Sequence, residues 1–176
     1  MRTLLAFLVA SLVSTTALAA SPVELWREAR VRPQDPRLID LVRAGMARSA
    51  TFRGLVNRLE SGNVIVYISL SSTLRYSLAG KLTWITKAGG FRYLKATLRV
   101  EQTADQMIAT LAHELQHALE VSADESVADQ RSMLALYKRI GRPSYSGLDA
   151  AWETEAAQDT AVQVRRELIT TLAATF

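Results

Sequence analysis

Cysteine is absent from this 176-residue chain. No disulfide can form and no thiolate can hold a metal, so His, Asp and Glu are the strong ligands left. The same absence gives no vote on redox compartment. Histidine is almost as scarce, with His113 and His117 the only two. Past the first twenty residues no apolar run is long enough to span a membrane. A large excess of one charge is also missing: the net charge is +4. Arg43, Arg48, Arg53 and Arg58 recur every five residues, so they spiral around a helix and read as a solvated surface. With no aromatic-basic stacking module, no nucleic-acid partner is expected.

What is present suffices for one domain. Nearly half of the residues are apolar (49%), and the length allows one ordinary core but not two. Residues 1–20 read as a signal peptide. Arg2 is a short positive region, Leu4 to Val13 an apolar stretch, and Ala17-Leu18-Ala19 a cleavage site. The alternative is an uncleaved anchor, but serines and threonines at 11 to 16 interrupt the apolar run. The mature chain is expected to start near Ser21, without stable membrane insertion, and to be exported, periplasmic or secreted.

Residues 21–36 hold three of the four prolines and read as an extended lead-in, with a short helical turn at Val23 to Arg30. A single domain is expected over 37–176. Leu38, Leu41, Val42, Met46, Phe52, Leu55, Val56 and Leu59 recur at helical spacing from Arg37 to Glu60, with a break near Ser49 to Thr51. Val64 to Ser69, Lys81 to Thr86 and Tyr93 to Val100 read as strands of a small antiparallel sheet, with a hairpin at Ala88 to Phe91. Thr103 to Gln106 is a capping box that opens a helix. Further helices follow from Asp124 to Ile140 and from Leu148 or Asp149 to Leu172. Helix, sheet, then three helices is an α+β order.

Both histidines lie in Ala112-His113-Glu114-Leu115-Gln116-His117-Ala118, an HExxH motif. Residues four apart share a helical face, so both imidazoles can grip one metal ion, with Glu114 placed to activate a water. The flanks from Ala109 to Leu119 are otherwise uncharged. Such a helix is buried, and a core holding two histidines and a glutamate needs something to satisfy them. A catalytic zinc (Zn2+) site takes three protein ligands and leaves one position open. With neither Cys nor a third His, the third ligand is a carboxylate. Glu153 and Glu155 are the candidates. Glu153 lies one turn before Ala157 on the stripe Ala157, Thr160, Ala161, Val164, Leu168 and Leu172, which favours it. Glu155 has the spacing to Asp159 in its favour, and Glu120, Glu125 and Asp129 are more remote. Glu114 would accept the proton from water and pass it to the leaving group. Tyr145 is the candidate donor to an oxyanion, with Tyr137 and Arg142 as alternatives. A peptide or protein substrate could pair with a sheet edge along Tyr93 to Val100.

These residues resemble zincin-fold metallopeptidases of the gluzincin type, in which a strand-rich hairpin leads into the motif helix and lies along the cleft. The chain is also similar to small exported bacterial proteins with an HELxHALE motif. The shared features are Thr51 to Val56, Val64 to Tyr67, Ala88 to Leu94 and His113 to Glu120. The resemblance implies a zincin-like fold and zinc-dependent hydrolysis. It also supports Glu153 as a ligand, since Glu153-Thr154-Glu155-Ala156 is similar to the Glu-x-Glu-Ala run of gluzincin ligand helices. Asp or Asn commonly follows that run; here Ala157 does, which leaves the support of one histidine unassigned. Two other functions stay open: a non-catalytic, metal-stabilised binding domain, and a metal-free structural helix.

Overall fold

The computed structural model describes residues 26, 28–144 and 151–173. The expected signal peptide and Tyr145 lie outside the described residues. In chain order the elements are β1 (Val31–Pro33), α1 (Pro36–Arg48), α2 (Ala50–Glu60), β2 (Val64–Ser71), β3 (Gly80–Ala88), β4 (Phe91–Arg99), α3 (Ala104–Ala123), α4 (Gln130–Ile140), β5 (Arg142–Ser144), β6 (Ala151–Glu153) and α5 (Glu155–Ala173). The fold is α+β. No helix among the described residues is long and apolar enough to cross a membrane.

The expected break in the first helical segment is a single residue. Ser49 is extended (φ −131°, ψ 120°), closing α1 through its N–H to the Gly45 carbonyl and capping α2 by accepting from Phe52 N. Its hydroxyl donates to Glu167 of α5 at 2.5 Å, and Thr51 adds two more hydrogen bonds to the same carboxylate. Arg48 is not simply solvated surface. It bonds Asp105 twice and the Leu168 carbonyl once, tying α1 to α3 and α5.

The four-stranded sheet is mixed rather than antiparallel, with order β1-β2-β4-β3. β3 and β4 form the expected hairpin, turning on Gly89 and Gly90 at φ 57° and 80°, where glycine avoids a Cβ clash. β2 joins the other side of β4 in parallel, and β1 adds in parallel to β2. The lead-in thus supplies a strand to the sheet. The reason lies in burial. β2 opens on the continuous run Val64, Ile65 and Val66, all at most 2% exposed, which suits a strand covered on both faces. β4 lies between β2 and β3, so among the described residues the free edge beside it is β3, not Tyr93 to Val100.

Helix α3 packs on the inner sheet face, where Leu94, Ala96 and Leu98 meet Ile108, Leu111 and Leu115 in one core. Its other sides touch α1, α2 and α5, which explains its nearly uncharged flanks. Arg92, 2% exposed, reaches from β4 to the end of α3 and donates to the carbonyls of Val121, Ser122 and Asp124 and to Asn63. A cation there satisfies the helix's last carbonyls and complements its dipole. Two expected helix starts move inward. α4 begins after its N-cap Asp129, and α5 begins after Thr154, whose hydroxyl accepts from Ala157 N. Ala151 to Glu153 is instead a strand, paired antiparallel with β5. The expected apolar stripe of α5 is buried at Ala157, Ala161, Val164 and Leu168.

The Glu167 junction gives a pH prediction. Burial would raise its carboxyl, but hydrogen bonds from Ser49, Thr51 and Gln163 outweigh that and hold it at about 2. A depressed carboxyl stabilises the fold above the ordinary Glu range, and that stabilisation is lost as pH falls toward about 2. Glu167→Ala is expected to lower stability by roughly 1–3 kcal/mol at neutral pH. The difference from wild type should shrink toward pH 2 in urea melts. Equal midpoints at neutral pH would contradict the assignment.

Candidate metal centre

The motif sits midway along α3, and helical phase puts His113 and His117 on one face. Their Nε2 atoms are 3.1 Å apart, with the rings edge to face. Glu153 arrives on β6. Its Oε2 is 2.8 Å from His113 Nε2 and 3.7 Å from His117 Nε2. That oxygen is buried and, among the described residues, accepts no well-aligned hydrogen bond, although both imidazoles adjoin it closely enough to favour its charged form. Three ligand atoms so spaced share a point about 2 Å from each, the distance at which nitrogen and oxygen bind a transition-metal ion. An orphaned buried carboxylate oxygen within such a donor set is what a cation would satisfy. His113, His117 and Glu153 can therefore hold a metal ion.

Glu153 was favoured as a member of a helical stripe, and the structure corrects that reason. It is on a strand, one residue before the α5 N-cap, with its backbone fixed by pairing to Arg142. Glu155 is exposed in the first turn of α5, outside the cluster. Asp129 is engaged in capping α4, and Glu125 is exposed.

Glu114 is 5% exposed and lies between the imidazole pair and β3. Burial pushes its carboxyl up; the two imidazoles and the Leu82 N–H oppose this without cancelling it. A carboxylate raised in this way is suited to taking up and returning a proton. β3 approaches α3 so closely that a Cβ on Gly80 would lie 2.6 Å from Thr110 Cγ2 and 2.8 Å from Glu114 Oε1. The Arg99 N–H donates to the Ala79 carbonyl, which marks residues 79 and 99 as a hydrogen-bonded pair. By strand alternation, Gly80 and Leu82 then turn their backbone groups to the free edge, consistent with the Leu82 contact to Glu114.

The histidine support left unassigned comes from Glu120. Its Oε2 is 2.8 Å from His117 Nδ1, and its Oε1 accepts from the Thr154 hydroxyl at 2.6 Å. The available signal was spacing: Glu120 is three residues past His117, on the same helical face. Burial works against a charged His117, but Glu120, Glu153 and Glu114 together raise it to about 9. Burial likewise works against a charged Glu153, and the two imidazoles outweigh it and hold that carboxyl at about 2.

Tyr137 does not serve as an oxyanion donor. Its hydroxyl donates to the His117 carbonyl at 3.0 Å, and its ring packs edge-on against His117. Arg142 is exposed and does not line the cleft, and Tyr145 lies outside the described residues. The cleft in front of the cluster has a volume of about 200 Å³. Its walls include Leu78 and Leu82 on the β3 side, Met133 and Leu134 of α4, and Trp152 of β6. No family model, curated protein or solved structure matches this chain.

Glu120 orients His117 without joining the cluster, which predicts a separable effect. Glu120→Ala should keep the fold while metal affinity falls about 10–100-fold. Competition against a chromophoric chelator would measure this. Unchanged affinity would show that Glu120 has no such part.

Proposed function

We propose that this chain is a zinc-dependent hydrolase, specifically a metallopeptidase of zincin-like fold and gluzincin-type ligation. The observation that carries the reading is the convergence of His113, His117 and Glu153 beside a buried Glu114 at the floor of a cleft. Nitrogen and carboxylate donors without thiolate suit zinc in a three-ligand catalytic site. A zinc ion held there would supply Lewis acidity toward a carbonyl and acidify a bound water.

The chain's own residues supply the rest. Glu114 accepts a proton at its buried carboxylate and returns it to the leaving amine. Gly80 leaves that carboxylate room against β3. Glu120 and Thr154 set the plane of the His117 ring. The free edge of β3 runs past Glu114, so an extended peptide pairing there would bring its backbone to the site. The motif helix packed beneath a hairpin edge supports the zincin-like reading of the fold. Export rests on the N-terminal segment, and the metal set, without thiolate, would not be vulnerable to oxidation there.

Three measurements test the reading together. Wild type should carry stoichiometric zinc by elemental analysis, and His117→Ala should not. Glu114→Gln should retain zinc and lose hydrolysis of a peptide library by about 10²–10⁴-fold. Zinc-loaded wild type that cleaves nothing would remove the hydrolase, and folded wild type that takes up no zinc would remove the metal site as well.

A further inference from the structure

Charge is strongly partitioned along this chain. From Ser61 to Val100 there is no Asp or Glu, yet the stretch has six Lys and Arg, more than the net charge of the whole protein. That stretch is β2, β3 and β4 with their connections; its Arg92 is buried against the end of α3 and its Arg99 pairs with Glu101, while its β3 side forms one bank of the cleft. Arg75 and Lys81 from it are exposed and line the cleft. The opposite bank has the same sign. From Gln130 to Ser144, covering α4 and β5, there is no acidic residue; Arg139 there pairs with Asp124 and Arg142 stands outside the cleft, which leaves Arg131 and Lys138. Leu134 lines the cleft and is 41% exposed. Arg131 is three residues before it and Lys138 four after, so both share its helical face, and both are exposed.

Among the described residues, Glu114 and Glu153 are the only carboxylates lining the cleft, and both belong to the metal centre. Of the acidic residues that lead into α4, Asp124 pairs with Arg139, and Asp129 is turned to the Ser132 amide and hydroxyl as the helix cap. With a divalent cation bound, the charges of Glu114 and Glu153 are balanced, and the rim cations set the potential met by an incoming chain. Between the rims, the walls at Leu78, Leu82, Met133, Leu134 and Trp152 are apolar.

We propose that the cleft selects acidic polypeptide, binding an apolar residue between its walls while Asp or Glu on either side face Arg75 and Lys81 on one bank and Arg131 and Lys138 on the other. This deepens the peptidase reading by naming its substrate class, but it concerns binding and does not depend on turnover.

The test uses zinc-loaded Glu114→Gln protein and two labelled peptides with the same apolar centre, one flanked by Glu and one by Lys. Fluorescence anisotropy should show the acidic peptide binding about tenfold or more tightly at low salt, the effect of two or three exposed charge contacts. High salt should erode that advantage. The double charge reversal Lys81→Glu with Arg131→Glu should abolish or invert the preference, and Lys138→Glu alone should weaken it. These positions are exposed, so thermal melts should match the parent. Equal binding of the two peptides, no binding of either, or a preference untouched by the reversal would overturn the proposal. So would a single-stranded oligonucleotide of equal charge that displaces the acidic peptide at lower concentration, since the surface would then be a general polyanion site. The two readings fail separately. Selective binding by a wild type that cleaves nothing removes the hydrolase alone, whereas cleavage of both peptides with equal kcat/KM removes acidic selection alone.

Discussion

Two imidazoles and the carboxylates of Glu114, Glu120 and Glu153, gathered in a largely apolar core, are the constraint around which this fold is arranged. A buried ionisable group is tolerated only when it has partners, and each group here has acquired them from a different element. His117 draws Glu120 from its own helix and a carbonyl contact from Tyr137 of α4. Glu114 lies against β3 at Gly80 and beside both imidazoles. Glu153 is brought from β6 to within 2.8 Å of His113, and among the described residues that oxygen accepts no hydrogen bond. The motif helix therefore cannot be packed by hydrophobic contact alone. Sheet, ribbon and α4 must all reach it with polar atoms, and the unmet oxygen marks where protein atoms stop and a cation fits.

How far this was visible in the sequence depended on the range of the interaction. The motif, its capping box at Thr103 and Gln106, the hairpin at Gly89 and Gly90, and the buried stripe of α5 are local patterns, and local patterns were readable. The parallel pairing of β2 with β4 is nonlocal, and the intervening β3 hides it. The unbroken run Val64-Ile65-Val66 carried the information, since a strand covered on both faces does not alternate. β5 and β6 have three residues each, too few for a period of two to be distinguished from chance.

Glu153 does join the two imidazoles, but by a route other than the expected one. Helical phase placed it on the apolar face of a helix that in fact starts two residues later. Thr154 is a strong N-cap residue followed at once by an acidic first turn, and that combination defined the start better than Asp149 did. The choice between Glu153 and Glu155 survived because the chemical premise was independent of the element. A carboxylate directed toward the core needs a partner, whether a helix or a strand directs it.

The position of α5 links site assembly to the stability of the whole domain. Thr154 caps α5, donates to Glu120, and directly follows Glu153, so the start of one helix sets both the position of Glu153 beside the imidazoles and the support of His117. The far half of the same helix is fixed by Glu167 to the Ser49 elbow and by the Leu168 carbonyl to Arg48, which also holds Asp105 at the start of α3. Displacing α5 along α3 would move Glu153 away from the imidazoles and strand Glu120 at once. Metal binding and the α1–α2–α5 contacts therefore draw on the same structural equilibrium. A cation that binds only the assembled cluster must stabilise packing well away from itself, by the logic that couples any native-state ligand to folding.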